Sequence, residues 1–442
     1  MALNTLTLAE RGQRIGLRLI TRAGSLPMLH NPDIRRTVEH LLYRGSRSAF
    51  VALDAAAKRS FPARPGRGAP TRPTAATPRR EFDLTPTEDQ EMIRSAAAEL
   101  ATDVIRPAAA QADTDRAVPE SVRRAAADLG LPLIGVPTEL GGIAEERSAV
   151  TSSLVLEELA RGDLGIAAAL MAPAAVATAL ANYGSSAQQA TYLPDFTGDG
   201  LPAVATLALM EDGPLFDPLS PSTTATTRGG DLVLSGQKTL VVGAEKADLL
   251  VVSALVDGAP RLVIVEAGTR GVSVTDDPAM GIRAARTGRL VLEDVVVPAA
   301  NVLGTTEDHL DAVRRARLAW AAAACGTAQA ALDQLVPYVT TRHAFGEPIA
   351  RRQAVAFSVA DVAIELAGLR LVVWRAAARL DEGKDAALLI ANARQLTARH
   401  GAQIGSQAVQ LLGGHGFVKE FDNERWYRDL RGAGLLEGVL LV

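Results

Sequence analysis

Residues 410–438, QLLGGHGFVKEFDNERWYRDLRGAGLLEG, form the most specific pattern in the chain. Glycines between 413 and 416 indicate a loop, and glycine lets a backbone approach a large planar or phosphorylated ligand closely. A charged, aromatic stretch typical of a helix start follows. Glu437 then stands beside Gly438, after the apolar pair Leu435-Leu436. Apolar surroundings raise the pKa of a carboxylate, which suits it to act as a base near neutral pH. Spacing alone equally allows an ordinary surface glutamate.

This stretch resembles the C-terminal end of the acyl-CoA dehydrogenase family. The family pattern is Q-x-x-G-G-x-G-[YF], then E-R-x-x-R-D, then an apolar pair followed by E-G. The chain supplies these positions in register: Gln410, Gly413, Gly414, Gly416, Phe417, Glu424, Arg425, Arg428, Asp429, Glu437 and Gly438. Two co-occurring blocks make the resemblance specific, because TTRHAFGEPIARRQ is similar to the family block R-x-x-F-G-x-P-[IL]-x-x-x-Q. That second block gives Arg342, Phe345, Gly346, Pro348 and Gln353.

The periodicity of the chain predicts helices, then strands, then helices. From Leu84 to about 200 the apolar spacing is helical, whereas short β-branched runs bounded by Gly, Asp and Pro occupy 200–300. Strands without intervening helices suggest an antiparallel sandwich or barrel, and long helical patterns return after 304. The resemblance implies the same α+β plan: a helical N-terminal domain over 81–200, a β-domain over 201–303 and a C-terminal four-helix bundle over 304–442.

The resemblance implies flavin-dependent α,β-dehydrogenation of an acyl-CoA thioester. Removing a hydride needs an electron-pair acceptor that side chains lack, so FAD is the implied cofactor. By resemblance, Glu437 is the base for the α-proton, and Arg317 and Gly438 border the thioester. Arg342 is the expected partner of the diphosphate, since a guanidinium matches phosphate oxygens. The other residues expected around FAD are Phe345, Gln353, Gln410, Gly413, Gly414, Met210 and Val242.

The middle domain departs from the family pattern at the flavin. Met210, Phe216, Leu240 and Val242 stand where the family carries Thr, Ser, Trp and Thr, so the remaining donors would be backbone N–H groups.

Three interpretations of the chain's function follow. The chain is an acyl-CoA dehydrogenase that passes electrons to an electron-transferring flavoprotein, as a homodimer or homotetramer. Alternatively it is a non-autonomous or structural subunit, paired with a homologue. A third interpretation keeps the flavin in an oxidase or monooxygenase.

Composition narrows the class of protein further. A chain of 442 residues is too long for one hydrophobic core, so two or three separately packed units are expected. No run approaches the ~20 uninterrupted apolar residues of a membrane span. The single cysteine, Cys325, excludes a cysteine-based metal cluster within the chain, and its small neighbours predict a buried hydrophobe. No metal site is predicted.

Basic and acidic residues are distributed unevenly along the chain. Residues 1–80 hold 15 Lys+Arg against 4 Asp+Glu, and the remainder holds 31 against 46, which argues against nucleic acid as the main partner. Residues 61–80 are a Pro/Arg-rich linker. The basic extension is open to interpretation as an organelle-targeting segment, a membrane-surface element over 1–60 or a docking arm; we favour a tethered helical pair and a cytoplasmic location.

Overall fold

The computed structural model of the chain describes residues 84–145, 147–198, 200–213 and 216–442. The basic extension and linker predicted over 1–80 lie outside the described residues. The first described part is helical, and its seven α-helices are α1 Glu88–Leu100, α2 Arg106–Asp115, α3 Glu120–Asp128, α4 Ala149–Gly162, α5 Leu164–Tyr183, α6 Ser186–Tyr192 and α7 Pro194–Thr197. A π-helical turn, Ala101–Ile105, joins α1 to α2.

The starts of these helices follow local sequence signals. Thr87 caps α1: its hydroxyl accepts from the Gln90 backbone N–H at 3.2 Å, and the Gln90 side chain accepts from the Thr87 N–H at 3.0 Å. Such a reciprocal box satisfies two backbone donors that a helix start leaves free. Pro119 directly precedes α3, and Gly130 follows that helix in the left-handed conformation at φ 77°. Pro119 is therefore the N-cap of α3, and Gly130 supplies the left-handed residue just beyond its end.

Helix α5 contradicts the prediction that no segment is apolar enough to cross a membrane. It is 20 residues long and passes that test by length and composition. However, 83% of its most apolar window is buried inside the protein. The sequence LGIAAALMAPAAVATALANY is apolar on all sides because α5 packs against both the other helices and the sheet, as a core helix does. Length and burial together identify it as a core helix.

Eight strands form the central sheet: β1 Ala205–Ala208, β2 Thr224–Arg228, β3 Asp231–Val242, β4 Leu249–Val256, β5 Ala259–Glu266, β6 Val272–Asp276, β7 Thr287–Pro298 and β8 Val302–Leu303. The strand order is β6-β7-β3-β2-β4-β5-β8, with β1 also paired to β4. The long β3–β7 pairing carries register shifts between Leu234 and Gly236 and between Lys238 and Val241. Such bulges bend a strand and re-aim its side chains.

The predicted purely antiparallel sheet is wrong in two places. Strands β1 and β2 each run parallel to β4, whereas the other pairings are antiparallel. A tight hairpin forces antiparallel pairing, but a longer connection leaves the direction free. Between β1 and β4 the chain forms β2 and β3, so no hairpin constrains that pair. The sheet is mixed.

Helices return after the sheet: α8 Thr306–Thr341, α9 Gln353–Asp381, α10 Ala387–Leu396, α11 Ala402–Gln410 and α12 Asn423–Ala433. A short two-stranded ribbon, β9 His343–Ala344 with β10 Glu347–Pro348, separates α8 from α9. A 3-10 turn, Gly413–Phe417, lies between α11 and α12. Helix α8 packs against α4, α9, α10 and α12, so it is the central rod of the helical core. Cys325 on α8 is fully buried, as predicted, and burial raises its pKa well above the usual value.

The expected fold class, with a helical first part, a central sheet and C-terminal helices, is confirmed. The exact domain boundaries stay predictions.

Candidate active site

Glu437 lies just after α12 in a buried position, with 6% of its surface exposed. Two arginines from different helices contact its carboxylate. Arg317 Nε lies 3.0 Å from both oxygens, and its Nη2 lies 2.9 Å from Oε1. Arg394 Nη2 lies 3.1 Å from the same Oε1. Three of the four contacts therefore end on Oε1, and Oε2 is the less occupied oxygen.

These contacts correct one sequence-based expectation. The apolar residues before Glu437 predicted apolar surroundings for its carboxylate, and the structure instead gives it two guanidinium partners. The arginines come from α8 and α10, which lie far from Glu437 in the chain, and their arrival depends on helix packing. Burial lowers the pKa of Arg394, and Arg317 adds to that effect, while the negative charge of Glu437 opposes both.

Gly438 and Val439 join the Glu437 loop to the sheet. Val439 N–H donates to the Leu207 carbonyl of β1 at 3.0 Å. A Cβ on Gly438 would lie 2.8 Å from that carbonyl oxygen, and Gly438 has φ 74°, so glycine is required there. Val439 also has a positive φ, 66°, which is rare for a β-branched residue. The loop is thus held against the strand that leads to Met210.

The four residues after Gly438 are all buried, in the segment Val439–Val442. Trp320 Nε1 donates to the Gly438 carbonyl at 2.9 Å, and Arg315 Nη1 donates to the Val442 carbonyl at 3.0 Å. Both donors lie on α8, as does Arg317. One helix therefore fixes the Glu437 side chain and the backbone on both sides of this segment.

A cavity of about 510 Å³ is lined by four of the residues predicted to bind FAD. Arg342, Gln410, Gly413 and Gly414 all line it, together with Tyr338 and His415 among others. A Cβ built on either glycine would meet nothing within 4 Å, so the backbone there is open to a ligand. Tyr338 Oη lies 2.9 Å from His415 Nδ1 and donates to the Leu412 carbonyl at 3.0 Å. The size, the open backbone and the guanidinium fit a nucleotide diphosphate.

Two other predicted residues lie outside that cavity's walls. Phe345 is 95% exposed, with the Arg352 guanidinium 5.7 Å from its ring centre, and Gln353 is exposed at the start of α9. Within one chain the structure does not bring them to Gly413 and Gly414.

Met210, Leu240 and Val242, the positions expected beside the flavin ring, pack in the same hydrophobic core as the Glu437 loop. Val242 is buried in a cluster with Trp320 and Val439, and Met210 and Leu240 pack on it. Leu240 has φ 51°, and its N–H donates to Asp277 Oδ2 at 3.1 Å. This conformation falls within the β3 register shift between Lys238 and Val241.

Sequence reasoning missed a buried ion pair beside Met210. Lys238 Nζ lies 2.6 Å from Glu211 Oε1, and the hydroxyl and N–H groups of Ser222 and Thr223 also donate to Glu211. Burial lowers the pKa of Lys238 to about 8 against the opposing effect of Glu211. Burial would raise the pKa of Glu211, but Lys238 and the hydroxyl donors lower it to about 2. The signal available in the sequence was a lysine directly before the strand-like run TLVV at 239–242.

Models of the three acyl-CoA dehydrogenase domains match the chain in order: the N-terminal domain over 87–199, the middle domain over 206–295 and the C-terminal domain over 309–440. The chain belongs to the acyl-CoA dehydrogenase family.

Relatives in this family match over most of their length. The mitochondrial short-chain specific acyl-CoA dehydrogenase of Rattus norvegicus is 33% identical over 365 residues, covering 80% of this chain and 87% of the relative. The NADH-dependent acryloyl-CoA reductase of Anaerotignum propionicum is 32% identical and is covered to 92%. The structure of butyryl-CoA dehydrogenase from Megasphaera elsdenii superposes with a TM-score of 0.73 at 26% identity, covering 80% of this chain and 95% of that one.

Proposed function

We propose that this acyl-CoA dehydrogenase family member oxidises an acyl-CoA thioester with FAD as cofactor. Glu437 is the base for the α-proton in this proposal. The observation that carries it is a buried carboxylate whose loop is hydrogen-bonded, through Val439 N–H and Leu207 O, to the strand leading to Met210. This geometry joins the base to the strand expected beside the flavin.

The protein's own residues have distinct parts in the proposed reaction. Bound FAD supplies the acceptor for the β-hydride. Arg317 and Arg394 orient the Glu437 carboxylate and leave Oε2 as the oxygen that takes the α-proton. The residues that would hold the ADP end are those lining the 510 Å³ cavity: Arg342, Gln410, Gly413 and Gly414. Electrons then pass to an electron-transferring flavoprotein, as the resemblance implies.

The proposed assembly is an oligomer, as a homotetramer or homodimer or together with a homologue. Phe357, Ile364 and Leu371 are exposed at seven-residue intervals along α9, which aligns them on one face. Burial of such a stripe against a second chain is favourable, at about 25 cal/mol per Å² of apolar surface. The exposed Phe345 is the kind of residue that a neighbouring chain would cover to complete the adenine end of the cofactor site.

A second candidate function is a subunit that needs a homologue for activity. One observation favours it: Met210, Leu240 and Val242 pack on the same core as Val439, so the chain's own apolar side chains fill space near the expected flavin wall. These residues also lack the hydroxyl groups of the family pattern, and each lost hydrogen bond typically weakens binding by about 0.5–1.5 kcal/mol.

The visible absorption spectrum of the purified full chain tests the proposal. A yellow protein with a flavin spectrum is the expected result when the chain is expressed alone. A colourless protein that becomes yellow only when co-expressed with a homologue would support the second candidate. Rapid formation of peroxide under air would point to the oxidase instead.

A further inference from the structure

A separate cavity of about 130 Å³ lies between helices α3 and α5 and one end of the sheet. Its apolar wall is built from small side chains, among them Ala126 on α3, Ala169 and Pro173 on α5, and Val204, Val242 and Ala284 of the sheet region. Neither Glu437 nor Arg342 is part of this wall. The cavity is thus distinct from the carboxylate and from the nucleotide cavity described above.

Three arginines reach this cavity, and two of them are already paired. Arg116 holds Asp276 through two hydrogen bonds of 2.7 and 2.6 Å. Arg286 lies 2.5 Å from Glu245. Arg123 differs, because its Nε is buried and has no hydrogen-bond partner among the described residues. No ion pair of Arg123 occurs in that part of the chain either.

Leaving a buried donor of a charged group without a partner is unfavourable, and more so than for a neutral group. A water would need two to four polar partners to replace the missing acceptor. Glu245 also lines the cavity but is already paired with Arg286, and Lys246 offers donors and no acceptor. The rest of the wall is mostly alkyl. A carboxylate satisfies a guanidinium best, since its oxygens match the N–H fork. Arg123 therefore favours a ligand with an anionic group, whereas the alkyl walls favour a ligand with an apolar part.

We propose that this cavity binds a small monocarboxylic acid, with its carboxylate on Arg123 and its apolar part against Ala169 and Val242. An apolar cavity of about 150 Å³ accommodates a benzene-sized molecule, so the ligand is a short-chain or single-ring acid. The site takes the free acid, because a thioester lacks the carboxylate that Arg123 would bind. Binding at this site needs neither FAD nor Glu437. A failure of the proposed dehydrogenation would therefore not refute it.

Val242 gives the site a connection to the proposed cofactor site. It lines this cavity and is also a residue predicted to contact the flavin. An acid bound here would press on the end of β3 from the side of α5.

Calorimetric titration of the full chain with benzoate and butyrate tests the inference. The variant Arg123→Gln removes the charge without breaking an ion pair, and Ala169→Leu fills the cavity. Arg124→Gln is the matched control, because Arg124 is exposed on the same helix and pairs only with exposed Glu120 in the described structure. Benzamide serves as the uncharged probe.

Saturable binding of benzoate or butyrate to the wild type and to Arg124→Gln is the expected result. Arg123→Gln should weaken it by about tenfold or more, and Ala169→Leu should abolish it. The wild type should bind benzamide as weakly as Arg123→Gln binds benzoate. The inference is overturned if the wild type shows no saturable binding of either acid, or if Arg123→Gln or Ala169→Leu binds with wild-type affinity. Should a variant fail to fold, equal binding of benzoate and benzamide to the wild type would also overturn it.

Discussion

Arg394 holds both the side chain and the backbone of the Glu437 loop. Its Nη2 lies 3.1 Å from Glu437 Oε1, while its Nη1 donates to the Leu436 carbonyl at 2.6 Å. A single guanidinium on α10 therefore fixes the orientation of the carboxylate and the end of the preceding segment. Because Arg317 contacts the same oxygen from α8, the loop is held between two helices.

Replacing Arg394 should destabilise the protein. Arg394→Gln leaves a buried carboxylate with one partner and a buried carbonyl with none, which typically costs about 2–4 kcal/mol. Urea unfolding followed by circular dichroism measures the loss. The control is Arg399→Gln, an exposed arginine just beyond the same helix, which should change the free energy of unfolding by less than about 0.5 kcal/mol. Equal stability of the two variants would contradict the bridging role of Arg394.

Two glycines near the end of the chain should respond oppositely to alanine. Gly438→Ala introduces a Cβ at φ 74° and 2.8 Å from the Leu207 carbonyl, so we expect a loss of about 1–3 kcal/mol. Gly432 lies within α12, where a Cβ would meet only Leu436 at an ordinary 3.8 Å. Gly432→Ala should be neutral or stabilise by up to about 1 kcal/mol. Thermal unfolding of both variants checks the difference, and a harmless Gly438→Ala would show that the loop is not held against β1.

His309 should make stability fall in mild acid. It is buried and hydrogen-bonded to Ser253 at 2.8 Å; burial first, then the charges of Lys238 and Arg261, lower its pKa to about 4. Between pH 6.5 and 4 the unfolded chain binds a proton here that the folded chain does not. Stability from this group is therefore complete above pH 6.5 and is lost as pH falls to 4, by about 3 kcal/mol.

The variant His309→Gln isolates this contribution. Its free energy of unfolding should fall less steeply than that of the wild type between pH 6.5 and 4. His343→Gln, at an exposed position, should keep the wild-type slope. Identical pH profiles for wild type and His309→Gln would show that burial of the neutral imidazole does not govern this range.

The exposed stripe on α9 should control assembly. Ile364 is 68% exposed in the single chain, and Ile364→Glu puts a charge at the centre of the stripe. Because burying an unpaired carboxylate is unfavourable, light scattering after size exclusion should find a smaller particle than the wild type. Met92→Glu changes a similarly exposed apolar residue on α1 and should leave the particle size unchanged. A wild-type mass for Ile364→Glu would remove α9 from the interface.

Local signals in the sequence identify much of the fold. The glycines before Phe417 predicted the break between α11 and α12, and the change of apolar period near 200 predicted the change from helices to sheet. The family resemblance also predicted that Arg342, Gln410, Gly413 and Gly414 contact the same cofactor, and these residues line one cavity. Each of these features depends on neighbouring residues or on a shared family pattern.

The remaining features depend on contacts between distant segments. Arg317 and Arg394 lie 120 and 43 residues from Glu437, so their meeting depends on the register of packed helices. The same holds for the parallel pairing of β1 with β4. No local pattern encodes these contacts, because packing selects which faces meet.

Addition of short-chain acyl-CoA to the flavin-loaded chain, under exclusion of air, tests the role of Glu437 most directly. We predict loss of the visible flavin absorption in the wild type and in Glu420→Gln, an exposed control. Glu437→Gln should keep its flavin and its fold but show no bleaching. Bleaching of Glu437→Gln at the wild-type rate would contradict the account.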